Sequence, residues 1–259
     1  MAKQLKGILF DFDDTLIDWS EAGINWRELE ASHLAKVHDY INKEIQPFDV
    51  DIKTLTARYM ERTKEAWERG RSTLRAPIMP NILMATIVEL GVPEDKLDLT
   101  ALIQAYDWKV VPGTTVFPDV PPMLEELMAN NIKIGIVTNA SQPMSMRDTE
   151  LVSHDLMQYF LDYRLSAADA GYLKPHPHIF EYALNLMGTS PEETVFIGDN
   201  PIADVAGAQS AGMRAILRVK ATTQKMISGL IVPDAAINSM VELPRILDDW
   251  FPEWRKNGN

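Results

Sequence analysis

The chain has 259 residues, 46% of them hydrophobic and 24% charged, with a formal net charge of −12. That length and balance fit a globular protein with one large or two smaller cores, and the acidity excludes general binding to a nucleic-acid backbone. Cys is absent, which excludes disulfides, thiolate metal sites and a Cys nucleophile and fits a cytoplasmic location.

In chain order, the first predicted element is a strand over Gly7 to Phe12, an apolar run that ends in Asp11-Phe12-Asp13-Asp14-Thr15. Side chains two apart on a strand share a face. Asp11 and Asp13 therefore form a costly pair of carboxylates unless a metal or a proton separates their charges. Asp11 lies so early that no signal peptide is expected before it. No apolar run reaches about 18 residues, so no membrane span or membrane partner is expected.

Residues from about 20 to 110 show helical periodicity and no convincing strand. One stripe is Trp26, Leu29, Leu34, Val37 and Ile41; a second is Ile52, Leu55, Tyr59 and Trp67. Ile82, Ile87 and Leu90 form a third, and Leu99, Leu102, Tyr106 and Val110 a fourth. Breaks fall near Gln46-Pro47, Gly70 to Pro77 and Gly91-Val92-Pro93. Four such helices close a small bundle. It is expected as a helical domain over residues 19–110, inserted into an α/β core domain of residues 1–18 and 111–259, with Pro112-Gly113 to Pro118 as the hinge. His33, near the first stripe, is expected to pack rather than to bind a ligand, and Trp19 and Trp26 to pack the insertion or line the substrate pocket.

Beyond the insertion, strands are predicted over Lys133 to Thr138, Tyr163 to Ser166, Thr194 to Ile197 and Arg214 to Val219. Helices fall between them, including Pro121 to Asn131 and Pro177 to Met187, the latter closed by Gly188. Strands alternating with helices imply an α/β fold with a doubly wound, Rossmann-like parallel sheet. The tail from Trp250 to Asn259 is expected to be polar and frayed at its end.

Three of these strand ends carry further polar groups. Thr138-Asn139 can donate hydrogen bonds to an anion, or can cap a turn. Lys174 precedes Pro175, which disfavours helix there and leaves its ammonium on a loop at the mouth of the sheet. Ile197-Gly198-Asp199 leads into Asn200-Pro201-Ile202-Ala203-Asp204, adding two acids. Asp11, Asp13, Asp199 and Asp204 with Lys174 carry a net charge of about −3, which calls for a cation. Oxygen ligands alone favour Mg2+. Metal and Lys174 together can hold a phosphoryl group while a carboxylate attacks it.

The four ordered motifs, Asp11 to Thr15, Thr138-Asn139, Lys174-Pro175 and Gly198 to Asp204, resemble those of the haloacid dehalogenase superfamily of hydrolases, in the branch with a helical cap inserted after the first motif. The resemblance implies that Asp11 is the nucleophile and Asp13 the general acid and base. It implies Mg2+ on the Asp11 carboxylate, the Asp13 carbonyl and Asp199, with Asp204 behind them or paired with Lys174. Thr138 and Lys174, with backbone groups near Asn139, would grip the phosphoryl oxygens. Asp13 and the Asp199/Asp204 pair point to a Mg2+-dependent phosphatase acting through an aspartyl-phosphate on a small phosphorylated metabolite. A phosphomutase on the same scaffold and a non-catalytic sensor of a phosphorylated ligand are the alternatives. A dehalogenase is weaker, because it needs neither the second acid nor the metal. Asp14 stands where many relatives have Gly, a tolerated change, and His176 is assigned no role. The segment Arg69 to Arg75 corresponds to the cap loop that reaches over the site, so Arg71 and Arg75 are expected to hold a second anionic group. The protein is expected to be a monomer or homodimer.

Overall fold

The computed structural model describes residues 4–219 and 231–255. Its strands are β1 (Gly7–Phe10), β2 (Ile17–Asp18), β3 (Thr115–Val116), β4 (Lys133–Thr138), β5 (Arg164–Ser166), β6 (Thr194–Gly198), β7 (Arg214–Arg218) and β8 (Ala235–Ile237). The α-helices are α1 (Trp26–Tyr40), α2 (Ile52–Thr73), α3 (Met79–Glu89), α4 (Leu99–Tyr106), α5 (Val120–Ala129), α6 (Met144–Ser153), α7 (Ala167–Ala170), α8 (Pro177–Met187), α9 (Gly207–Ser210) and α10 (Leu243–Trp250).

Six strands form one parallel sheet in the order β5-β4-β1-β6-β7-β8. The period of two in the sequence decides which side chain enters which layer. Ile8, Phe10, Ile134, Ile136, Val195 and Ile197 pack on one face. Leu9, Val137, Phe196 and Leu217 pack on the other, against Ile179, Phe180 and Leu184 of α8. Strands buried on both faces read as continuous apolar runs, which is why β1, β4, β6 and β7 are visible in the sequence. Strand β1 sits in the middle, with Phe10 in register with Ile136 on one side and Ile197 on the other. Ligands of such sheets bind beyond the carboxyl ends of the strands where the winding reverses. That is the edge where Asp11 emerges.

The chain leaves the sheet through β2 and returns through β3, and the two pair antiparallel, Ile17 against Val116. Gly113 lies beside this stem with φ +84, and a Cβ there would meet the Glu21 carbonyl oxygen at 2.7 Å, so no other residue fits without a shift. Between β2 and β3 the four predicted helices form, each of three started by a side-chain cap: Asn25 for α1, Asp51 for α2 and Asp98 for α4. Their apolar stripes meet in one cluster that includes Leu34, Val37, Leu55, Tyr59, Leu83, Ile87, Leu102 and Tyr106. Trp26 departs from its predicted stripe and is 46% exposed.

Several elements differ from expectation. Helix α2 continues through Arg69–Thr73 and stops only at Leu74, which adopts a left-handed φ of 56°. The segment expected as a loop is thus mostly the last turn of a helix, continued by residues with adequate helix propensity. Helix α6, β8 and α10 were not foreseen. Within the tail, Phe251 and Trp254 are buried against the sheet, the Trp254 indole donates to Asp248 at 2.8 Å, and Arg255 pairs with Glu126 at 2.9 Å. Its two aromatic anchors outweigh its polar composition. Residues 256–259 lie outside the described residues. No helix of the described residues is long and apolar enough to cross a membrane.

Candidate active site

Asp11 follows β1 directly, and its backbone N–H donates to the Ile197 carbonyl at 2.8 Å, extending the ladder by one residue. Its carboxylate is buried beside Lys174, whose ammonium is itself 3% exposed. Lys174 Nζ lies 2.7 Å from Asp11 Oδ1, 2.7 Å from Asp204 Oδ1 and 2.8 Å from the Val137 carbonyl. It donates to Asp11 and the Val137 carbonyl and forms an ion pair with Asp204. The lysine is not at the mouth of the sheet but inside it, under the acids. Burial alone would lower the Lys174 pKa, but Asp11 and Asp204 more than offset this and hold it above the ordinary lysine value.

Asn139 explains how the lysine is aimed. Its Oδ1 accepts from the Lys174 backbone N–H at 2.7 Å, and its Nδ2 donates to the Lys174 carbonyl at 3.1 Å. Both ends of the amide are committed, so Asn139 holds the Lys174 loop rather than donating its side chain to an anion. That is a correction to the expectation for this residue. The peptide bond between Lys174 and Pro175 is cis.

After β6 the chain turns through Asp199 and Asn200, whose side chain caps the following turn by accepting from Ile202 and Ala203. Asp204 folds back over the strand end and accepts from the Asn200 N–H at 2.9 Å. Gly198 makes room for it: a Cβ there would lie 2.3 Å from Asp204 Oδ2. Carboxylate oxygens of Asp11, Asp199 and Asp204 come within 4.8 Å of one another. Burial raises the Asp11 pKa well above the usual carboxylate range; Lys174 opposes this, while Asp204, Asp199 and Asp13 add to it. One lysine does not neutralise such a group. Three converging hard oxygen donors, two of them buried, fit a small divalent cation.

Asp13 has other partners. Thr138 donates to its Oδ2 at 3.3 Å and the Trp19 indole to its Oδ1 at 3.0 Å. Arg147 grips both oxygens, at 2.8 and 3.2 Å. Thr138 therefore reaches Asp13 across the strand ends. Asp13 lies outside the trio of converging carboxylates. Asp14 takes a left-handed φ of 63°, a conformation Asp tolerates better than most residues.

The sequence reading missed Arg147 and Glu150, both on α6 and both buried. Arg147 Nε lies 2.7 Å from Glu150 Oε1, and the Trp108 indole donates to the same oxygen at 2.7 Å. The result is a buried chain from Asp13 through Arg147 and Glu150 to Trp108 at the end of the helical insertion. Burial would depress the Arg147 pKa, but Asp13 and Glu150 raise it further. Burial raises the Glu150 pKa, opposed first by Arg147.

A cleft of about 340 Å³ opens onto Asp13, Asn139 and Arg147, with four tryptophans in its walls. Arg71 and Arg75 are not among its lining residues. Arg71 is exposed on α2. Arg75 lies 4.1 Å over the Tyr172 ring and faces a separate cavity. The extension of α2 through Thr73 carries both away from the expected position. His33 is buried, stacked on Tyr106 with centroids 4.7 Å apart, and its Nδ1 meets the Tyr106 carbonyl at 2.9 Å; it packs, as expected.

A haloacid dehalogenase-like hydrolase family model matches residues 5–212. A glyceraldehyde 3-phosphate phosphatase of Methanocaldococcus jannaschii is 26% identical over 94% of this chain and 97% of its own length. Among solved structures, a 2-haloacid dehalogenase from Pseudomonas syringae aligns with a TM-score of 0.59 and 26% identity, covering 95% of this chain and all of that one. A haloacid dehalogenase-type phosphatase from Thermococcus onnurineus aligns at 0.56 and 25%, covering 94% and 98%.

Proposed function

This chain belongs to the haloacid dehalogenase-like hydrolases, and from that premise we propose that it is a Mg2+-dependent phosphatase of small phosphorylated substrates. The observation that carries the reading is the buried Lys174 ammonium shared by Asp11 and Asp204, with Asp199 converging on the same point. Asp13, held two residues beyond Asp11, favours phosphoryl transfer over carbon–halogen cleavage. Asp11, Asp199 and the Asp13 carbonyl would hold Mg2+, with Asp204 beside them; when bound, the ion draws charge from the phosphoryl oxygens.

The residues of the chain then have distinct tasks. A carboxylate oxygen of Asp11 attacks phosphorus and the bond to the leaving oxygen breaks. Asp13 passes a proton to that oxygen, then takes one from the water that attacks the aspartyl-phosphate, releasing inorganic phosphate and restoring Asp11. Lys174 and Thr138 receive the phosphoryl oxygens. Trp19 and Arg147 keep the Asp13 carboxylate from rotating.

The test is phosphate release from p-nitrophenyl phosphate and a panel of small phosphomonoesters, with Mg2+ and with chelator. Release that requires the metal and falls at least about 10³-fold in Asp11→Asn and in Asp13→Ala is expected. Halide release from a 2-haloacid, unaffected by Asp13→Ala, would overturn the reading. An isomerised phosphate ester without free phosphate would replace it with a mutase.

A further inference from the structure

The cleft above Asp13 is lined by Trp19, Trp26, Trp67 and Trp108, four of the six tryptophans in the chain. They arrive from separate places: just after β2, the start of α1, the later turns of α2, and the segment after α4. Trp19 and Trp26 stack with centroids 6.0 Å apart and planes within 24°. Trp26 stays 46% exposed, so a large apolar ring is held in water at the rim of the site.

Two of the indoles have already used their only donor. Trp19 gives its N–H to Asp13, and Trp108 to Glu150. What remains to face a substrate is ring surface. Several polar side chains of the same wall already have protein partners. Asn139 is tied at both ends to the Lys174 backbone, Ser141 donates to Gln142 at 3.4 Å, and Arg147 is held between Asp13 and Glu150. Among the described residues that line the cleft, the one cation, Arg147, is already paired. A polyhydroxylated leaving group would give up its hydration for partners that are already occupied.

We propose that the phosphoryl group removed here is carried by an alcohol bearing a planar, uncharged aromatic ring, which seats among Trp19, Trp26, Trp67 and Trp108. This rests on the phosphatase reading above and specifies its substrate class. The cleft is large enough for one or two fused rings. A quaternary ammonium group also favours indole faces, and phosphocholine is the compound that separates the two.

The experiment compares 2-naphthylmethyl phosphate with cyclohexylmethyl phosphate, glycerol phosphate and phosphocholine, and binds the matching naphthylmethyl and cyclohexylmethyl phosphonates, followed by indole fluorescence. The aromatic ester is expected to exceed the saturated one at least about tenfold in kcat/KM, with the phosphonates ranked alike. Trp26→Leu and Trp67→Leu are expected to shrink that ratio several-fold through KM. Equal treatment of aromatic and saturated compounds, or phosphocholine as the best substrate, would overturn the inference while leaving a phosphatase. Tight, selective binding of the aromatic phosphonate with no phosphate released from any ester would keep the inference and overturn the phosphatase.

Discussion

Two buried cations serve this site, each between two carboxylates, and they are built differently. Lys174 joins Asp11 to Asp204, and every partner it has lies on or just after a core strand. Arg147 joins Asp13 to Glu150 and through it reaches Trp108, where the helical insertion ends. The lysine is a point charge enclosed by the Asp11 and Asp204 carboxylates and the Val137 carbonyl. The arginine is a flat fork, and it holds a carboxylate in one orientation. One cation belongs to the chemistry of the sheet edge. The other ties that edge to the helices that roof it.

Lys174→Met should separate the two most sharply. It removes the ammonium and strands two buried acids, so phosphate release should fall at least about 10³-fold and stability by about 3–5 kcal/mol in urea unfolding. Activity within tenfold of the parent would remove Lys174 from the site. Arg147→Met should act mainly on stability, costing about 3 kcal/mol, and lower kcat about 10²-fold through a misplaced Asp13. Adding Glu150→Gln should recover part of that stability, because the orphaned acid is neutralised while Trp108 keeps an acceptor. Strictly additive losses would mean that the two residues do not act as a pair.

The smallest effect tests the roof alone. Burial holds the His33 pKa below its ordinary value, Lys36 lowers it further, and the Tyr106 carbonyl and Asp107 pull it up. The histidine is thus neutral in the fold, while the unfolded chain takes up a proton near pH about 6.5. Its contribution is complete above that pH and is lost as the pH falls through it toward the lower folded value. Stability in urea unfolding should fall over that window as the pH drops, and His33→Gln should flatten the slope. An unchanged slope in the variant would show that another group titrates.

The same contrast separates what was legible in the sequence from what was not. Asp11 stands directly after an apolar strand and Asp204 in the turn that follows another, and runs such as Gly7–Phe10 and Thr194–Gly198 announce themselves because both faces are buried. Helix α8 is legible for the same reason, since Ile179, Phe180, Ala183, Leu184 and Met187 form its buried stripe. Helix α6 hides because its buried face includes Arg147 and Glu150 beside Met144, Met146 and Leu151. Charges that neutralise one another in space look like a solvated surface in a sequence. Arg71 and Arg75 fail in the opposite direction. Their charges suggested a binding loop, but helix length is set by where packing stops, and α2 runs on to Leu74.

The position of β1 also bears on how the chain assembles. Gly7 pairs with Lys133 on one side and Thr194 on the other. Both neighbours of this strand are therefore made well after it, β4 only beyond the helical insertion and β6 later still. Through most of synthesis its Gly-Ile-Leu-Phe segment has no partner in the sheet, while the helices of the insertion, with a core of mostly nearby residues, can already pack. Pairing over such separations is slow relative to local contact. Asp11 and Asp13 thus meet Lys174, Arg147 and Asp204 only when the sheet is nearly complete, and the site is among the last parts of the molecule to come into being.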